Sequence, residues 1–322
     1  MASSPRHFSA PLRALLLSPS LRKPPRIPLR TSLFSQPLMH KALAFSTQIR
    51  GVSGSRRVSW KTEASMSEAA TEKGKRGAEV FDSEEDLSVS LAKYTADIAD
   101  KFSKEKRSFT VVLSGGSLIK SLRKLAEPPY IDSVDWSSWH IFWADERVVP
   151  KDHDDSNYKL AFDGFLSKIP ILPGNVYSIN DALPAEGAAD DYETCLKHLV
   201  TSGVISVSAA TGLPKFDLML LGMGPDGNVA SLFPGHPLVK EKEKWVTFIK
   251  DSPKPPPERI TFTFPVINAS SHIALVVCGA GKAGPVHAAF QNSRNSSTVP
   301  VQMVAPEGEL VWFLDKDAAS KL

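Results

Sequence analysis

Four short segments of this 322-residue chain gather side chains that handle anions and protons. The first, Ser114-Gly115-Gly116-Ser117, lies between an apolar run and a helix-like stretch. Its glycines let the backbone approach an anion closely, and amides at a helix start meet that anion with the positive end of the dipole. The same residues also make an ordinary tight turn. The second, Asp145-Glu146-Arg147, follows an apolar run, with His153-Asp154-Asp155-Ser156-Asn157 downstream. Charges there commonly solvate the end of a buried strand, whereas an arginine fork suits a phosphate dianion. The third is the stretch from Gly222 to Gly235, which carries Asp226 and Asn228 among its glycines. The fourth comprises Arg259, after Pro255-Pro256-Pro257-Glu258, and Lys282 in Gly279-Ala280-Gly281-Lys282. Taken singly, these two cations read as a strand-start salt-bridge partner and a solvated helix-start lysine.

Two nucleotide signatures come close and fail. Gly281-Lys282 has Ala283 where a P-loop needs Ser or Thr, and Val276 where it needs its first glycine. Gly222, Gly224 and Gly227 fit G-x-G-x-x-G, but Pro234 stops any following helix after about two turns, too short for a dinucleotide-binding crossover. The segment is better read as a glycine-rich loop presenting Asp226 and Asn228 to a small ligand.

Alternating strands and helices must position these segments. Ser83 and an acidic first turn open a helix whose apolar positions Leu87, Leu91, Tyr94, Ile98 and Phe102 recur every three to four residues. Strands are expected over 109–113, 140–144, 176–179, 216–221, 245–249, 260–264, 272–277, 301–304 and 310–314. Helices are expected over 118–125, 157–166, 188–200 and 282–290. Such alternation, with fully apolar strands, predicts an α/β fold around a mostly parallel sheet covered on both faces. Ligands then sit beyond the carboxyl ends of the strands, where the four segments fall.

Charge divides the chain sharply. Residues 1–62 hold 11 Lys or Arg and 11 Ser with no Asp or Glu; removing those 11 from 38 leaves 27 basic against 35 acidic residues. The remainder is acidic, which argues against a nucleic-acid binder. The leading segment, broken by prolines and without a long apolar run, reads as an organelle transit peptide over 1–65, its Met-Ala-Ser-Ser start resembling chloroplast signals. A linker over 66–79 and a single domain over 80–322 follow. Cys195 and Cys278 lack metal or redox spacing, so two buried free thiols and no structural metal are expected; no membrane span is expected either.

Read together, Leu-Ser-Gly-Gly-Ser, Asp-Glu-Arg with Asp-Ser-Asn, Gly-Met-Gly-Pro-Asp-Gly-x-x-Ala-Ser-Leu-Phe-Pro-Gly, Pro-x-x-Arg-Ile-Thr-x-Thr and Gly-x-Gly-Lys resemble the 6-phosphogluconolactonase family, especially its plant forms, over residues 80–315. The resemblance implies a Rossmann-like fold of the glucosamine-6-phosphate deaminase and ribose-5-phosphate isomerase superfamily. It also implies hydrolysis of 6-phosphoglucono-1,5-lactone to 6-phosphogluconate without cofactor or metal, the sugar-phosphate lactone being the partner; the leader places the protein in the plastid stroma, and a monomer is expected, its oligomeric state not being set by the sequence. By the same resemblance Gly115, Gly116, Ser117, Asp145, Arg147, Arg259 and Lys282 bind substrate, Arg147 and Lys282 through its phosphate, and Asp226 is catalytic.

At Asn228 the chain departs from the family, whose Asp-Gly-His carries the general base. A carboxamide can orient water but cannot take its proton. A general base typically supplies about 10²–10⁴-fold, the loss expected unless another group substitutes; His153 and His236 are candidates. Two readings follow: a lactonase of full or reduced activity, or a non-hydrolytic paralogue that binds a sugar phosphate or a protein.

Overall fold

The computed structural model describes residues 55–58, 76–291 and 299–322. The expected transit peptide lies almost wholly outside them. Strand β1 (Ser55–Val58), inside the stretch expected to be transit peptide, pairs antiparallel with β2 (Arg76–Phe81), which starts inside the stretch expected to be linker. Ser83 then caps α1 (Glu84–Lys106), its hydroxyl accepting from the Asp86 amide at 3.1 Å. This helix buries Leu87, Leu91 and Ile98 as its periodicity requires, and ends at Arg107, whose backbone is left-handed at φ 60°.

The chain continues through β3 (Phe109–Leu113), α2 (Leu118–Ser121), α3 (Tyr130–Ser133), β4 (Trp139–Trp143), β5 (Asp145–Arg147), α4 (Asn157–Gly164) and α5 (Ala185–Thr201). Then come β6 (Ser206–Val207), β7 (Pro214–Lys215), β8 (Leu218–Leu221), β9 (Val246–Ile249), β10 (Arg259–Phe262), α6 (Phe264–Asn268), β11 (His272–Val277), α7 (Ala283–Phe290) and β12 (Glu309–Asp315). The main sheet runs β1-β2-β12-β11-β8-β3-β4, parallel except for β1. Successive strand residues alternate between two buried clusters: Val112, Met219, Leu275 and Trp312 pack on the α5 side, while Val111, Leu220, Val276 and Phe313 pack on the α1 side. Both faces are thus covered, the reason its strands read as continuous apolar runs. Among the described residues no helix is long and apolar enough to cross a membrane.

Three strand expectations are corrected. Residues 176–179 make only a single bridge, Val176 to Ile141, after a 3-10 turn at Pro173–Asn175. Residues 301–304 lie mostly in the 3-10 turn Pro300–Met303, where Pro300 removes an amide and the Gln302 side chain accepts from the Val299 amide at 2.8 Å. Asp145–Arg147 is not a solvated strand end but the edge of a second, antiparallel sheet, β5-β10-β9. Helix 118–125 is also shorter than expected, passing into a 3-10 turn at Arg123–Ala126. Cys195 and Cys278 are free thiols but only half-buried rather than buried.

Candidate active site

Chain order sets the site's location. From β3 the sheet grows one way to β4, and later strands return on the other side through β8 to β11. The order therefore reverses between β3 and β8, the place where a parallel sheet opens a crevice at its carboxyl edge. The Ser114–Ser117 turn leaves β3 and the glycine-rich loop leaves β8, tied by the Ser114 amide donating to Leu220 O at 3.0 Å. Arg147 follows β4, and Lys282 follows β11 in the 3-10 turn Ala280–Lys282, so all four segments reach the same edge.

Glycine is required at two positions. A Cβ on Gly115 would overlap the Asn157 carboxamide, and Gly116 sits at φ 71°. Asn157 opens α4; it is buried, and its Nδ2 donates to Asp145 O at 2.9 Å while its Oδ1 has no partner among the described residues. Glu146 holds the same helix start by accepting from the amides of Arg147, Asn157 and Tyr158, each at 2.7 Å. Burial pushes its carboxyl up to about 7, with those amides pulling it back.

Arg147 and Arg259 stand directly opposite each other across β5 and β10. Like charges in register repel, which favours an anion nearby. Burial first, then the Arg147 charge, lowers the Arg259 pKa. Arg147 gives Nη1 to Asp155 O at 2.7 Å, and its buried Nε has no partner among the described residues. Arg259 is spent differently: Nε donates to Pro256 O at 3.0 Å, and Nη2 to Lys254 O and Pro255 O at 2.9 Å each. It braces the proline-rich segment. Asp145, also buried, accepts from the Ser231 hydroxyl at 2.8 Å.

The glycine-rich loop makes no helix. Gly227, at φ 78°, closes a tight turn through its amide to Gly224 O at 2.9 Å, which sets Asp226 and Asn228 side by side. Between them lies a residue that sequence reading missed, Lys254. Its Nζ donates to Asp226 Oδ1 at 2.8 Å and to Asn228 Oδ1 at 2.7 Å, and it sits 5.5 Å from the Phe233 ring centroid. Asn228 Nδ2 donates to Ala230 O at 2.8 Å. Gly224 leaves room for this group, since a Cβ there would overlap Asn228 Oδ1 and stand 2.7 Å from Asp226 Oδ1. The signal available in the sequence was a lysine inside Ser252-Pro253-Lys254-Pro255, a stiff segment that fixes whatever it carries.

The two candidate histidines are bonded to other partners. His236 Nε2 lies 3.3 Å from Asp251 Oδ1 and its Nδ1 accepts from the Leu238 amide, while His153 Nδ1 accepts from the Asp155 amide at 3.1 Å. Neither bonds Asp226 or Asn228. Lys282 makes no salt bridge among the described residues, which also contain no group of three or more His, Cys, Asp or Glu placed to hold a metal.

Residues 82–312 match the family described as Glucosamine-6-phosphate isomerases/6-phosphogluconolactonase. The chain belongs to it. Among relatives, "Probable 6-phosphogluconolactonase 4, chloroplastic" of Oryza sativa is 71% identical over 245 residues, covering 76% of each chain. "6-phosphogluconolactonase 3, chloroplastic" of Arabidopsis thaliana is 68% identical over 248 residues, covering 77% of this chain and 76% of that one. Among solved structures, a 6-phosphogluconolactonase from Thermotoga maritima superposes with a TM-score of 0.63 at 30% identity, over 75% of this chain and all of the other. A monomeric glucosamine-6-phosphate deaminase, 20% identical with a TM-score of 0.59, shares the fold.

Proposed function

We propose that this chain hydrolyses 6-phosphoglucono-1,5-lactone to 6-phosphogluconate in the plastid. The observation that carries this reading is the cleft at the β3/β8 reversal, where an acid-bearing glycine loop faces an anion-binding edge, within a family whose plant members bear that activity in their names. Arg147 and Lys282 hold the phosphate, one as a planar fork and the other as a point charge. Gly115, Gly116 and Ser117 leave the backbone open to the sugar. Asp226 faces the lactone carbonyl, while Asp145 and Arg259 act from behind, fixing Ser231 and the segment that carries Lys254. The chain acts as a monomer, without cofactor or metal.

Asn228 supports a second reading, a sugar-phosphate binder that does not hydrolyse, because both ends of its carboxamide are already bonded and it brings no base. The full chain separates the two when product formation is followed alongside calorimetric binding of 6-phosphogluconate. Turnover above the spontaneous rate, proportional to protein, is expected; binding without turnover would establish the second reading.

A further inference from the structure

Lys254 is the group at this site that the motifs leave unexplained. Its ammonium is pinned by two oxygens, Asp226 Oδ1 at 2.8 Å and Asn228 Oδ1 at 2.7 Å, and covered on one side by the Phe233 ring. Its own carbonyl is anchored by Arg259, so a side chain that is ordinarily free to move is held at both ends. Asp226 Oδ1 also accepts from the Asn228 amide at 3.3 Å, whereas its Oδ2 makes no hydrogen bond among the described residues. A carboxylate with one open oxygen is thus coupled directly to an ammonium.

Resting on the reading of this cleft as a lactone hydrolase, we propose that Asp226 and Lys254 form a two-residue proton relay that does the work of the single imidazole expected at position 228. Water attacks the lactone carbonyl carbon as Asp226 takes its proton, and the carbonyl electron pair moves onto oxygen to give a tetrahedral oxyanion. When that pair returns, the bond to the ring oxygen breaks, and the departing oxygen takes a proton from the Lys254 ammonium. The neutral amine then recovers the proton from the Asp226 carboxyl across their hydrogen bond. One water is consumed and both side chains return to their starting forms; the new carboxylic acid releases its own proton to solvent. Asn228 is a positioning residue here, since its carboxamide oxygen accepts from the ammonium and cannot compete for the proton.

The test uses the full chain with Lys254→Met, Lys254→Ala, Lys254→Arg, Asp226→Asn and the Asp226→Asn/Lys254→Met double variant. Folding is checked by circular dichroism, and kcat and KM are measured above the spontaneous rate. Lys254→Met and Asp226→Asn should each lower kcat by about 10²-fold or more with KM within about threefold. The double variant should fall little below the worse single one, because the pair acts as a unit. Lys254→Arg should stay slow, as a guanidinium keeps its proton. Added ethylamine should restore Lys254→Ala in proportion to its concentration, corrected for its reaction with the lactone alone. Full rate in Lys254→Met, full rescue by Arg, or no response to ethylamine overturns the relay and leaves the hydrolase reading standing. An unmodified chain that binds 6-phosphogluconate without turnover overturns both.

Discussion

Arg147 and Arg259 face each other with the same charge, yet their surroundings assign them different work. Arg259 gives three N–H bonds to backbone carbonyls of the proline-rich segment, while Arg147 keeps a buried Nε without a partner among the described residues. Replacing Arg147 or Lys282 by Ala should therefore weaken 6-phosphogluconate binding by about 1.5–3 kcal/mol, the scale of a charged hydrogen bond, as read by calorimetry. Unchanged affinity in both variants would return these cations to the solvated surface. The resemblance named Asp226 and Arg147 because their motifs are contiguous. Lys254 was not legible in this way: it stands 28 residues beyond Asp226 and meets it only once β8, β9 and β10 have brought the two segments together.

Elements read well where the burial pattern is local. The α1 stripe and its Ser83 cap follow from spacing alone, and the apolar strands follow from a sheet covered on both faces. What the sequence did not reveal depends on distant partners: the pairing of β5 with β10, and the 3-10 turn at 300–303 whose Val301 amide donates to Gly227 O at 3.0 Å. The β3 turn and the α4 start interlock in the same nonlocal way, Gly115 against Asn157. Gly115→Ala should destabilise the fold by about 1–3 kcal/mol through overpacking, measured by urea unfolding. Adding Asn157→Ala should recover part of that loss, because the colliding atoms are then gone. Purely additive losses would mean that the two residues do not share this space.

At the scale of the whole molecule, the sheet separates a functional edge from an edge that bears on stability. His140 and His272 sit near the amino ends of β4 and β11, away from the cleft, and burial lowers the pKa of each below the ordinary imidazole value of about 6.5. As pH falls through that value the unfolded chain takes up protons that the folded chain refuses, so stability declines toward acid. The double variant His140→Gln/His272→Gln should flatten this decline below about pH 6.5. An unchanged slope would place the acid sensitivity elsewhere, for instance at Glu193 and Glu241, whose carboxyls lie below their ordinary value; the buried Glu146 and Asp217, raised by burial, act in the opposite sense. The leader over residues 1–65, acid-free through Thr62, belongs to the same scale: a fusion of residues 1–70 to a fluorescent protein should enter plastids, and cytosolic retention would contradict a transit peptide. The central claim is that the cleft hydrolyses a sugar-phosphate lactone without an imidazole at position 228, and it is tested most directly by the turnover number of the full chain beside Asn228→His. The unmodified chain should exceed spontaneous hydrolysis. The histidine variant should be about 10- to 10²-fold faster at little changed KM, because imidazole is a stronger base than a carboxylate, with a pH inflection at or below about 6.5 set by the neighbouring Lys254 ammonium. An unmodified chain no faster than the uncatalysed reaction would contradict the account, whether or not the histidine variant gains activity.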